Sequence, residues 1–128
     1  MTKKKPIQEF GSKVRELRQA KKISLREFAT RVGMSPTYLS KIERNEFPPP
    51  AEDKVLAIAK ELNEDPDELL ALAGKVASDL PKIIQQNPRE LASFLRSTKG
   101  CSASDLMWAA DEVIKRMGRT GNAKDEED

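Results

Sequence analysis

Five side chains between positions 37 and 44 have types and spacing suited to chemistry: Thr37, Tyr38, Ser40, Lys41 and Arg44. Lys41 and Arg44 can neutralise phosphates or reach guanine acceptors. Thr37 and Ser40 can hydrogen-bond to bases or phosphates, and Tyr38 offers a hydroxyl and an apolar ring. This is the chemistry of holding a polyanion, not of breaking bonds. The chain has no histidine and a single cysteine, Cys101. It therefore lacks the commonest general base and the commonest metal ligand. Its acids fall at helix starts, on exposed positions and in the tail. There is no paired-carboxylate pattern, Gly-rich phosphate loop or nucleophile elbow. The reading is a protein that is not an enzyme and uses no metal or cofactor, with Cys101 as an inert small residue.

Those five residues need a helix to present them and a neighbour to hold that helix. Ser24 can cap a first helix, and Glu27 three residues on completes a capping-box pattern. Leu25, Phe28, Ala29 and Val32 fall at i, i+3, i+4 and i+7, so they share one face. Gly33 stands where the chain must turn through the left-handed region. Ser35-Pro36 restarts a helix as cap and first residue, and Leu39 and Ile42 point inward on it. Two helices joined at a steep angle by so short a turn suit double-stranded DNA: one spans phosphates while the other lies in the major groove. Helix–glycine–helix alone is common in small helical proteins. The turn length, a second helix with no acid before Glu43, and a basic N-terminal half sharpen the reading.

The run over residues 17–45 resembles the Xre/Cro/C1-type helix-turn-helix of phage repressors and bacterial regulators. Leu17, Arg18, Ser24, Ala29, Gly33, Met34, Ser35, Leu39, Ser40, Ile42, Glu43 and Arg44 fall in register with that pattern. With its flanking helices the resemblance covers roughly residues 7–74. It implies an all-α chain: a five-helix lambda-repressor-like DNA-binding domain followed by a small helical C-terminal region. It also implies a DNA-binding set of Arg26, Ser35, Thr37, Tyr38, Ser40, Lys41, Arg44 and Asn45. Arg18 and Glu43 stand where the family holds an internal ion pair, a structural role and not a DNA contact. Arg26 replaces the frequent glutamine at the start of the first motif helix, which exchanges an amide's hydrogen-bond pattern for a phosphate clamp. Asn45 replaces the final glycine, and asparagine tolerates the left-handed conformation best among the other residues.

Composition fits a helical protein: 128 residues, 34% charged and 5% aromatic. No run of about 18 apolar residues exists to span a membrane, and the N-terminus has no apolar core of a secretory signal. The expectation is a cytoplasmic protein. Residues 1–50 carry twelve Lys/Arg against five Asp/Glu, whereas residues 51–128 carry eleven against sixteen. Basic charge gathered on the motif half is the footprint of a phosphate-binding surface.

The flanking pattern predicts helices from Ile7 to Ala20, from Ala51 to Leu62 and from Asp65-Pro66 to Gly74. Val55, Leu56, Ile58, Ala59 and Leu62 should pack against the motif. Beyond Gly74, Ser78, Asn87-Pro88 and Ser102 read as successive helix starts, Ser102 with Asp105 as its capping-box partner. The parts are then a basic arm (1–6), a DNA-binding domain (7–74), a helical dimerisation or interaction region (75–117) and a disordered acidic tail (118–128). The third part is marginal for an independent core. Its stripe of Leu106, Met107, Ala110, Val113, Ile114 and Met117, with Trp108 beside it, is read as an interface, preferably with a second copy. A dimer also reaches two half-sites one helical turn apart. The resulting function is a sequence-specific transcriptional regulator, a dimeric repressor on an inverted repeat. The other class kept open is an antitoxin or scaffold whose C-terminal helices bind a protein partner.

Overall fold

The computed structural model describes residues 9–118, so the basic arm, the expected helix start at Ile7 and most of the acidic tail lie outside it. The described residues are all-helical: α1 (Phe10–Ala20), α2 (Leu25–Val32), α3 (Pro36–Glu43), α4 (Glu52–Leu62), α5 (Pro66–Leu72), α6 (Asp79–Gln86), α7 (Pro88–Ser97) and α8 (Ala103–Arg116). None of these helices is long and apolar enough to cross a membrane. The described residues divide into two compact units, one up to Pro81 and one from Lys82 onward, with the division inside α6.

The first unit is built on one core. Phe10 and Val14 of α1, Phe28, Ala29 and Val32 of α2, Leu39 and Ile42 of α3, Val55, Ile58, Ala59 and Leu62 of α4, and Leu69 and Leu70 of α5 are buried together with Met34. A fully buried residue of this kind stabilises the fold by roughly 1.5–3 kcal/mol. Helices α1 and α2 both pack on α3, α4 backs α1 and α2, and α5 closes on α4. Leu56 departs from the expected packing and stays exposed. The buried residues of α4 keep the i, i+3, i+4, i+7 spacing, and Leu56 stands one position off that stripe.

Local chemistry sets most helix ends. Ser24 Oγ accepts from the Glu27 N–H at 3.1 Å, and Asp65 Oδ1 accepts from the Glu68 N–H at 3.0 Å. The other half of the expected box at Ser24 is missing, because the Glu27 carboxylate pairs with Arg31, which also reaches Glu61 of α4 at 3.1 Å. Lys22, Asn45 and Asn63 take positive φ where helices end.

The second unit contains α7, α8 and the end of α6. Ser102 forms a complete capping box, accepting from the Asp105 N–H at 3.1 Å and donating its own N–H to Asp105 Oδ2 at 3.2 Å. Asn87 stands at the N-cap of α7 without a side-chain cap bond, leaving Pro88 at N1 as the start signal. The Ser78 N–H, just before α6, donates to Glu52 Oε2 at 3.2 Å. No residue of α6, α7 or α8 is buried. An apolar groove of about 720 Å³ runs between α7 and α8, with Leu91 and Phe94 on one wall and Leu106, Ala110, Val113 and Ile114 on the other. Met107, Trp108 and Met117 are exposed and do not line it.

Candidate nucleic-acid interface

The site begins with the turn between α2 and α3. Gly33 adopts φ 71°, ψ 39° and ends α2 in the left-handed region, where a Cβ would be strained. The Met34 N–H closes the turn by donating to the Ala29 carbonyl at 2.9 Å. Met34 is buried, which pins the turn to the core. From α4, Lys54 Nζ donates to the Gly33 carbonyl at 3.0 Å. Ser35 then restarts the chain, its Oγ accepting from the Tyr38 N–H at 3.1 Å, with Pro36 at the first helical position. The Ser35 hydroxyl proton stays available to an outside acceptor.

Helix α3 buries Leu39, Ile42 and Glu43. The burial of Glu43 determines the electrostatics of the opposite side. Arg18 on α1 donates from Nε and Nη2 to the two Glu43 carboxylate oxygens at 2.8 and 2.9 Å. Its remaining Nη1 donates to the Ile23 carbonyl at 2.8 Å. The Glu43 hydrogen bond holds the Arg18 guanidinium above its ordinary pKa, against the opposing effect of burial. The only acid of α3 is therefore turned inward and neutralised.

Helix α1 approaches the end of α3 closely. A Cβ placed on Gly11 would lie 1.9 Å from the Ile42 carbonyl oxygen, so only glycine fits. Asn45, at φ 62°, turns the chain off α3, and its Nδ2 donates to Ser12 Oγ on α1 at 2.9 Å. The asparagine amide thus serves to fasten α3 to α1.

The outward side of α3 has two flanks. On one, Thr37 and Arg44 are exposed and Ser40 is half-buried. Ser40 and Arg44 border a cleft with Arg15, Arg18, Leu25 and Glu43, and together with Thr37 they border an adjoining one with Leu25, Arg26 and Pro36. The first encloses about 190 Å³. Arg44 is steadied by Glu46 at 3.2 Å and by the Ser40 carbonyl at 3.3 Å. Arg15 and Arg26 are exposed and have no ion-pair partner among the described residues. The other flank is aromatic: half-buried Tyr38 and Lys41 lie beside the exposed Phe47. Thr37, Ser40, Arg26 and Arg44 are therefore brought to one patch, and Tyr38 and Lys41 to its neighbour. Sequence reasoning passed over Arg15, whose signal was an exposed position on the α1 turn that also carries Arg18. It passed over Phe47 because the ring follows the helix it serves.

The helix-turn-helix family profile HTH_3 matches residues 14–69. Among curated proteins none matches the chain. Among solved structures, the chain is similar to SinR, the master regulator for biofilm formation, solved in complex with DNA. The identity is 31%, covering 48% of this chain and 97% of that one, with TM-score 0.45. It is also similar to the DNA-binding domain of the P22 c2 repressor, with 33% identity over 52% of this chain and 86% of that one, TM-score 0.47. A third is the restriction-modification controller protein C.AhdI from Aeromonas hydrophila, with 33% identity over 47% of this chain and 89% of that one, TM-score 0.43. By profile match and by identity over nearly the full length of such relatives, the chain belongs to the Xre/Cro/C1-type helix-turn-helix family of DNA-binding transcriptional regulators.

Proposed function

We propose that this protein is a repressor that binds an inverted repeat in double-stranded DNA as a homodimer. In this reading α3 lies in the major groove. Arg26 and Arg44, joined by Arg15, grip phosphates along one flank, while Thr37, Tyr38, Ser40 and Lys41 meet base edges or position the helix. Ser35 adds a hydroxyl at the start of α3. The observation that carries the reading is the inward turn of Glu43 onto Arg18. It leaves an outward side of α3 composed of cations, hydroxyls and aromatic rings, which matches a polyanion carrying hydrogen-bonding edges.

The division of labour follows from burial. The first unit has a complete core and carries the reading face. The second exposes Phe94, Leu95, Leu106, Met107, Trp108 and Val113. Such a surface is normally covered, and a second copy is the occupant that also supplies the second reading helix. The other function, an antitoxin or scaffold, is favoured by the same α7–α8 groove if a different protein occupies it.

The test has two arms. Selection from a random duplex library, followed by footprinting, should yield a palindromic site protected over two successive half-sites. Light scattering should give twice the chain mass without DNA, and the mass of two chains plus one duplex with it. A monomer that enriches no sequence would refute the proposal. Tight capture of a distinct protein together with loss of DNA binding would favour the second reading.

A further inference from the structure

Phe47 is a large apolar side chain with 42% of its surface exposed, beside the proposed reading helix. Its backbone is fixed from both directions. The N–H groups of Glu46 and Phe47 both donate to the Lys41 carbonyl, at 2.9 and 3.3 Å. Three prolines follow, and the last of them, Pro50, is buried. Proline locks φ, so the ring is presented on a stiff loop. Two α3 side chains use it. The Tyr38 ring lies 5.9 Å away, centroid to centroid, tilted by 53°, within the preferred range for aromatic pairs. The Lys41 ammonium lies 5.4 Å from the Phe47 centroid, where the ring quadrupole attracts a cation. One exposed ring therefore orients a cation and a second ring, both on the surface proposed to meet DNA.

The major groove offers such a ring one apolar feature, the C5-methyl group of thymine. We propose that Phe47 is a specificity-determining residue that holds Lys41 and Tyr38 in reading position and packs on a thymine methyl at the edge of the half-site. This rests on the DNA-reading function above.

The experiment uses the full chain and a duplex site selected by the wild type. Each thymine of the site is replaced in turn by deoxyuridine, which deletes only the methyl. One replacement should weaken wild-type binding about fourfold, the value of one buried methyl-sized group. F47A should weaken binding to the selected site about tenfold, leave binding to unrelated duplex within about twofold, and abolish the deoxyuridine effect at that position. F47Y should restore both affinity and methyl sensitivity. Melting temperatures of both variants check that the exposed position does not unfold the domain. Equal deoxyuridine penalties in wild type and F47A, or an F47A affinity equal to wild type, would overturn the proposal while leaving the DNA-reading function standing. Failure of the wild type to enrich any site would overturn that function and this inference together.

Discussion

Replacing Glu43 with alanine removes both acceptors of a guanidinium that is nine-tenths buried. Two charge-assisted hydrogen bonds at 2.8 and 2.9 Å disappear, and Arg18 keeps only the Ile23 carbonyl. Breaking a buried pair by deleting one partner costs about 3–5 kcal/mol, because the remaining charge is stranded. Both side chains border the open cleft near Arg15 and Arg44, so water can reach the stranded group and the lower end, about 3 kcal/mol, applies. For a domain of this size that lowers the melting temperature on the order of 15 °C. Urea unfolding should be followed by far-UV circular dichroism, because Trp108 lies in the second unit and its fluorescence would report that unit alone. R18A should cost a similar amount, since it strands Glu43 instead. The double variant R18A/E43A should cost less than the two added together by about 1.5 kcal/mol or more. R18K should not rescue, because an ammonium cannot make the two-pronged contact. A coupling near zero, or an E43A loss under about 1 kcal/mol, would refute the argument that this pair braces α1 against α3.

Three further outcomes follow from the geometry. G11A should destabilise the first unit by about 1–3 kcal/mol or more in urea titration, because its methyl would meet the Ile42 carbonyl oxygen, which is backbone and cannot swing aside. S102A should lower the stability of α8 by about 1 kcal/mol, measured by hydrogen exchange of the helix amides, since it removes the cap bond from Asp105. L106E, in the wall of the α7–α8 groove, should convert the proposed dimer to a monomer in light scattering while leaving the melting of the first unit unchanged.

Helix α3 and the turn before it are legible in the sequence because their signals are local. Ser35-Pro36 and Gly33 each act within a few residues, and the spacing of Leu39 and Ile42 identifies the inward side. Most of the first-unit core follows from the same periodicity; Leu56, expected inside, is exposed, and Met34 is buried from the turn, where no periodicity applies. What escaped depends on distant partners. The Gly11 contact needs the crossing of α1 over the end of α3. Glu27 was read as half of a capping box, but Arg31 and Glu61, brought near by α2–α4 packing, drew it away. The Asn45 amide bonds Ser12 across 33 positions of sequence, a link that no local pattern announces. Asn87 showed the right residue type for a cap without the geometry. Phe47 reads as a loop residue until Tyr38 and Lys41 are seen beside it.

The claim that the outward side of α3 and its flanking arginines bind duplex DNA is tested most directly by the salt dependence of binding. Arg15, Arg26 and Arg44 on each of two protomers imply release of about six counterions, a slope near −5 for log affinity against log salt. R26A, removing one phosphate contact per protomer, should flatten that slope by about 2. Binding indifferent to salt, or a slope unmoved by R26A and R44A alike, would contradict the account.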